Sequence, residues 1–383
     1  MVVSRGARVR QPLEHVSAGR TPGRPDLEPR RRRDRCGHAP GRRKLVVLRD
    51  RRPQHGGDRL LEHRLGARRR RAATPGLVRR QPRQRLLSRA VPLENPLFGV
   101  VGSPIAHSQS PALHRAAYAV IGFEARYDRT EIGDGGLADF LRGAGVERRG
   151  LSVTMPLKRE AWSIAATRDR AAELTGAVNT LYRSGGDEDA PFAGANTDVG
   201  GIVDAVRSGA AREPRHVLVL GGGATASSAV VAAADLGASA LTLAVRTPER
   251  AEGAARLARS IGLAVDVVTL DRIASIRSDV VVSTLPGGTP LAGLPTAACD
   301  DGALLLDAAY APWPSELVRY WIAGEAPVVH GLSMLVRQAA RQVRLFASVD
   351  DAEWATVADR TTAAMFDVVG LDRSGIVRSL PDA

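Results

Sequence analysis

The stretch His216-Val-Leu-Val-Leu-Gly221-Gly-Gly223-Ala224-Thr-Ala226 decides the fold. Its apolar run over 216–220 has strand length and is closed at once by glycine. A run of small helix-compatible residues follows, through Leu236. Strand, glycine turn and helix start together form the context in which a dinucleotide-binding fingerprint has meaning. Gly221 permits the tight turn, and Gly223 lets the backbone approach a pyrophosphate at the helix N-terminus. Ala226 stands at the third glycine position and is small enough for close helix–strand packing. Alone the motif is weak, because a βαβ unit without a cofactor can carry the same glycine turn.

Working outward, the pattern repeats. Strands are predicted at 240–245, 265–270, 279–284 and 303–307, with helices at 225–236 and 248–261. This is the signature of a doubly wound sheet with helices on both faces. Upstream, strands at 97–101, 150–154 and 177–182 alternate with helices at 112–121 and 156–166, and a helix over 199–208 leads into the glycine-turn series. Such alternation argues for a second, mostly parallel α/β sheet. Two helices, 333–346 and 351–369, close the chain.

Charge is segregated along the 383 residues. Residues 1–93 carry 27 of the 54 Lys+Arg and 7 of the 41 Asp+Glu, a net of +20; residues 94–383 carry 27 and 34, a net of −7. The first segment has Arg30–Arg33 and Arg68–Arg71, many Pro and Gly, and little apolar periodicity. It is expected to be disordered, because it cannot bury enough apolar surface to offset its ordering entropy. Three origins compete: translation upstream of the true start, a solvated tail, and a nucleic-acid-binding arm. Nucleic acid is the least favoured partner. Two cysteines, Cys36 and Cys299, offer neither a disulfide framework nor a cysteine metal site, which suits the cytoplasm. No apolar run is long enough to span a membrane, and no secretory signal stands at the N-terminus. No metal is expected.

The second strand of the glycine-turn series ends Leu243-Ala-Val-Arg246-Thr247. An NAD site usually carries a carboxylate there for the ribose 2′-hydroxyl, and none is present. Arg246, with Arg250 one turn later, is placed instead to fork onto a 2′-phosphate. The plainer alternative is two surface arginines.

Four polar clusters exceed what a scaffold needs. The first, Gly102-Ser-Pro-Ile-Ala-His107-Ser108-Gln-Ser110-Pro111, joins a strand to a helix. Ser110 before Pro111 also fits a simple N-cap. The second is Ser152-Val-Thr154-Met-Pro156-Leu-Lys158, the third Gly176-Ala-Val-Asn179-Thr180, and the fourth Gly194-Ala-Asn196-Thr197-Asp198. Lys158 is the only lysine after residue 93, beside 26 arginines. A cation in a first helical turn opposes the dipole. Arginine cannot release its proton, whereas a lysine ammonium can be tuned, so Lys158 reads as a proton carrier. Asp198 is its natural partner. A buried ion pair without chemistry is the alternative.

These clusters, in this order, resemble the shikimate dehydrogenase family over about residues 95–370. Further matches are Ser283–Pro286 (S-T-x-P), Asp307–Pro312 (D-x-x-Y-x-P) and Gly331–Gln338 (G-x-x-M-L-x-x-Q). The resemblance implies reversible NADP-linked reduction of 3-dehydroshikimate to shikimate, on the route to chorismate and the aromatic amino acids. It implies that Ser108 and Ser110, with Tyr310, hold the substrate carboxylate. Thr154, Asn179 and Gln338 would bond the ring hydroxyls, and Lys158 with Asp198 would be the acid–base pair. Gly221, Gly223, Ala224, Ala226, Arg246, Thr247 and Arg250 would hold NADP(H), with Leu285 and Met334 near the nicotinamide. It implies a substrate-binding domain over 94–198 plus 332–383 and a Rossmann-type NADP domain over 199–331, acting as monomer or homodimer.

Three positions depart from the family pattern. Ser152 replaces an Asn, Val245 replaces the Asn of N-R-T, and Ala224 replaces a glycine. The alternatives are a quinate/shikimate dehydrogenase using NAD and, from another class, a nucleic-acid-binding regulator using the Arg-rich leader.

Overall fold

The computed structural model describes residues 95–145, 147–183, 190–291 and 293–380. The basic leader, and every expectation attached to it, lies outside the described residues. In chain order the first elements are β1 (Leu97–Gly102), α1 (Ser110–Ile121), β2 (Arg126–Glu131), α2 (Leu137–Gly143), β3 (Arg148–Val153), α3 (Lys158–Ile164), β4 (Thr167–Arg168), α4 (Arg170–Thr175), β5 (Thr180–Tyr182), β6 (Ala193–Ala195) and α5 (Thr197–Gly209). The glycine-turn series adds β7 (His216–Leu220), α6 (Ala224–Asp235), β8 (Ala240–Val245), α7 (Glu252–Ser260), β9 (Ala264–Thr269), β10 (Val280–Ser283), α8 (Thr296–Asp300), β11 (Leu304–Asp307), α9 (Glu316–Ala323) and β12 (Val328–His330). The chain then runs through α10 (Gly331–Phe346), α11 (Asp351–Val368) and β13 (Ile376–Val377).

Two sheets organise these elements. The second has strand order β13-β12-β11-β10-β7-β8-β9, parallel except at the β12–β13 edge. Its glycine-turn strand β7 lies between β10 and β8, as a doubly wound sheet requires. Apolar residues on both faces of β7, Val217 and Val219 on one side and Leu218 and Leu220 on the other, enter separate cores. That is why β7 reads as a continuous apolar run rather than an alternating one.

The first sheet has order β2-β1-β3-β5-β6-β4. β1 pairs in parallel with β2 and β3, and β4 with β6, but β5 is antiparallel to both β3 and β6. The sheet is therefore mixed, less parallel than its alternating sequence pattern suggests. Only ten residues separate β5 from β6, fewer than a parallel crossover needs, so this pair is antiparallel.

Other differences are local. The helix expected over 248–261 is a 3₁₀ turn at Pro248–Ala251 followed by α7. The helix expected from Pro156 begins at Lys158. The strand β2, Arg-Tyr-Asp-Arg-Thr-Glu, carries no strand signal in its sequence, because only Tyr127 is buried on it. The tail strand β13 joins the second sheet rather than the first.

Side-chain caps define several helix starts. Asp169 caps α4, Ser315 caps α9 and Asp350 caps α11, each accepting from a backbone N–H three residues on. A cap of this type is worth about 1 kcal/mol. Helix α10 is shared: Met334 packs with the core of the second sheet, while Val336, Ala339, Val343 and Phe346 pack with that of the first. Gln338, in the middle of α10, bonds Asn179 ahead of β5 and Thr197 of α5.

Candidate active site

Four elements bring Lys158, Asn179, Asp198 and Gln338 into one hydrogen-bonded cluster, and Thr154 at the end of β3 makes no bond to it. Strand β3 delivers Thr154, α3 begins with Lys158, Asn179 precedes β5, Asp198 sits in the first turn of α5, and Gln338 lies on α10. Lys158 Nζ donates to Asp198 Oδ2 at 2.5 Å, with side chains only 11% and 6% exposed. Asp198 suits the positive end of α5. Lys158 opposes the dipole of α3, and the carboxylate offsets that cost.

The other oxygen of Asp198 accepts from Asn179 Nδ2 at 2.8 Å. The orientation of this carboxamide is fixed by chemistry. Thr197 N–H donates to Asn179 Oδ1 at 2.9 Å, so that atom must be the acceptor and the NH₂ must face Asp198. Thr180 Oγ1 donates to the same oxygen at 2.7 Å. Gln338 Oε1 lies 3.2 Å from Asn179 Nδ2 and 3.1 Å from Thr197 Oγ1, which donates to it. Asn196 caps α5 at Asp198 N–H and donates to Ser228 Oγ of α6 at 3.0 Å, tying the start of α5 to the glycine-turn helix.

A second group lies around the β1–α1 loop. Ser110 is buried, and its N–H donates to Ser108 Oγ at 3.3 Å. Helix α1 has Gln109 at its N-cap position with no side-chain cap, so Ser110 is not spent on capping. Tyr310, after β11, faces the ring of His107 at 5.9 Å between centroids, and burial raises its phenol above the ordinary range. The Thr154 hydroxyl has no hydrogen-bond partner among the described residues. Ser108 and Ser110, and Tyr310 against neighbouring His107, make no hydrogen bond or ring contact with the Lys158 cluster among the described residues.

On the second sheet the turn after β7 is built for close approach. Gly221 has φ +115°, and a Cβ there would meet Thr284 Oγ1 at 2.4 Å. A Cβ on Gly222 would meet the Arg250 carbonyl oxygen at 2.5 Å, so the glycine turn abuts the loop after β8. The fingerprint leaves its middle position free, and the fold alone reveals the neighbour of Gly222. A Cβ on Gly223 would meet nothing within 4 Å, leaving the N-terminus of the 12-residue helix α6 open. Ala226 is fully buried behind it. Arg246, Thr247 and Arg250 are exposed, and neither arginine has an ion pair among the described residues. Leu285 packs half-buried at the edge of one core of this sheet, and Met334 is buried in the other.

Three polar residues of the interior were not foreseen as site residues: Tyr127, Thr197 and Gln342. Gln342 had a signal, since it falls one turn after Gln338 on the same face of a helix whose neighbours there are apolar. No group of His, Cys, Asp and Glu among the described residues could hold a metal ion, and no described helix is long and apolar enough to cross a membrane.

A doubly wound sheet with an open glycine turn and unpaired arginines, joined to a second α/β sheet holding a buried Lys–Asp pair, defines a nicotinamide-dependent oxidoreductase. The model for the shikimate dehydrogenase substrate binding domain matches residues 100–181. Shikimate dehydrogenase (NADP(+)) of Aeropyrum pernix is 36% identical over 256 residues, 66% of this chain and 92% of that protein. The enzyme of the same name from Rubrobacter xylanophilus is 33% identical over 266 residues, 67% of this chain and 92% of that protein. The crystal structure of Mycobacterium tuberculosis shikimate dehydrogenase superposes with a TM-score of 0.58 at 36% identity, covering 70% of this chain and 99% of that one. The chain belongs to the shikimate dehydrogenase family.

Proposed function

We propose that Lys158 and Asp198 form the acid–base pair of an NADP-dependent shikimate dehydrogenase. The enzyme reduces 3-dehydroshikimate reversibly to shikimate, a step toward chorismate and the aromatic amino acids. Its partner is a small-molecule substrate. The observation that carries the residue assignment is the buried Lys158–Asp198 contact, braced by Asn179.

The residues at the glycine turn fit NADP(H). The open face over Gly223 admits a pyrophosphate to the N–H groups of α6. Arg246 and Arg250, unpaired and beside that turn, offer planar forks to a 2′-phosphate, with Thr247 between them. Ala224, where the family has glycine, is the first residue of α6. Leu285 and Met334 supply apolar surface for the nicotinamide. When bound, the cofactor supplies the hydride.

The protein's own residues do the rest. Ser108, Ser110 and Tyr310 bind the substrate carboxylate through hydroxyl donors. Thr154, with its unpartnered hydroxyl, Asn179 and Gln338 bond the ring hydroxyls. Lys158 Nζ gives a proton to the carbonyl oxygen during reduction and takes it back in oxidation. Asp198 holds the ammonium in place through this exchange. The division into a substrate domain, 94–198 with 332–383, and an NADP domain, 199–331, follows the two sheets, with β13 crossing to the second. One chain carries every named residue, in keeping with a cytoplasmic monomer or homodimer.

The Lys158→Ala variant should lose about 10²–10⁴-fold in kcat, the usual contribution of a positioned acid–base group. NADPH binding, measured by fluorescence, should be nearly unchanged. Full activity would overturn the assignment.

A further inference from the structure

A series of buried hydrogen bonds runs from Tyr127 through the protein interior to Asp198. The Tyr127 phenol donates to Ser152 Oγ at 2.6 Å, and Ser152 Oγ donates to Gln342 Oε1 at 2.7 Å. Gln342 Nε2 donates to the Asn179 carbonyl at 3.1 Å and to Thr180 Oγ1 at 3.0 Å. Thr180 donates to Asn179 Oδ1, and Asn179 Nδ2 donates to Asp198. Tyr127, Ser152, Thr180 and Gln342 are all buried.

The direction of every bond in this series is set. The Asn179 carbonyl can only accept, so the Gln342 atom facing it is the NH₂ and the other is the oxygen. Ser152 must then donate to Gln342 and accept from Tyr127. Burial raises the Tyr127 phenol far above the ordinary range, so it keeps the proton that it donates. Each donor points toward Asp198, and bonds aligned head to tail strengthen one another.

We infer that Gln342 is a positioning residue, which with Ser152 and Tyr127 aims the Asn179 carboxamide at Asp198 and so orients the Lys158–Asp198 pair. This rests on the acid–base assignment above. Ser152 alone cannot do it. It faces Thr180 across the antiparallel β3–β5 pair, and a serine hydroxyl is too short to brace the neighbouring strand through a carboxamide. Gln342, reaching in from α10, supplies that carboxamide. Directly opposed residues have Cβ atoms about 4.5–5.5 Å apart, so an Asn at 152 would reach Thr180 from the strand itself.

The test is a swap. Gln342→Met keeps the side-chain length and removes the bonds. It should lower kcat about 10-fold or more, the effect of leaving buried polar groups unpaired, with NADPH binding unchanged. The pH profile of kcat should also move, because the environment of Asp198 changes. Ser152→Asn combined with Gln342→Ala should recover kcat to within about 3-fold of wild type, a residue of less than 1 kcal/mol. Tyr127→Phe, which retains the 4.1 Å stack on His114, should give a smaller loss in the same direction. The inference is overturned if Gln342→Met retains wild-type kcat and pH profile, or loses NADPH binding along with activity. It is also overturned if the swap is no better than Gln342→Ala alone. Lys158→Ala run in parallel separates the two ideas: full activity there removes the acid–base assignment itself.

Discussion

The proposed cofactor side and the proposed catalytic side of this molecule are built by opposite means. The glycine turn is a local device, in which Gly221, Gly222 and the start of α6 act through backbone geometry. The proposed catalytic cluster joins side chains from four elements, and its Asn179, Asp198 and Gln338 are buried and hydrogen-bonded. A backbone device tolerates side-chain changes around it. A buried side-chain network does not, because one missing partner leaves a desolvated group unpaired. Substitutions should therefore act mainly on kcat on one side and mainly on cofactor affinity on the other.

The largest loss is expected on the catalytic side. Asp198→Asn removes the charge that holds Lys158 and faces the Asn179 NH₂ with another carboxamide. A fall in kcat of about 10²-fold or more is expected, within the range for acid–base groups. On the cofactor side the effect should be smaller and of another kind. Arg246→Ala should raise the KM for NADPH about 10- to 100-fold, the loss of one or two charge-assisted hydrogen bonds. Its kcat at saturation should hold, and its KM for NADH should hardly change. An equal loss with both cofactors would mean that Arg246 does not hold the 2′-phosphate.

Legibility followed the same division. The strand β7, the turn and α6 were readable to within a residue, since every signal lies inside 216–236. Lys158 was readable for a different reason, as one lysine among arginines. The bracing of Asp198 was not. Ser152 and Gln342 are separated by 190 positions, and nothing local to either marks the bond between them. Strand β2 was missed because a charged edge strand with one buried residue shows neither period clearly. Ser110 stayed ambiguous in the sequence, because a serine before proline is equally a good cap until the helix start is seen.

The smallest effects should come from residues behind the catalytic side. His114 is buried against Tyr127, with Nδ1 2.9 Å from the Ser110 carbonyl, and burial lowers its pKa to about 3. His330, which caps α10 and stacks on Trp313 at 3.7 Å, is lowered to about 4. Both fold as neutral rings, while the unfolded chain binds their protons near pH 6.5. Their contribution to stability is complete above that pH and is lost as pH falls toward 3–4. Thermal unfolding should show a falling Tm between pH 6.5 and pH 4, with a shallower fall in His114→Gln. An unchanged slope in that variant would exclude His114 as a source.

The central claim is that Lys158 moves a proton rather than merely placing a positive charge. Lys158→Arg tests this most directly, because it keeps the charge beside Asp198 and removes a group that can give up a proton. The expected kcat is about 10²-fold or more below wild type, as for loss of an acid–base group, with NADPH affinity retained. A kcat near wild type in Lys158→Arg would contradict the account.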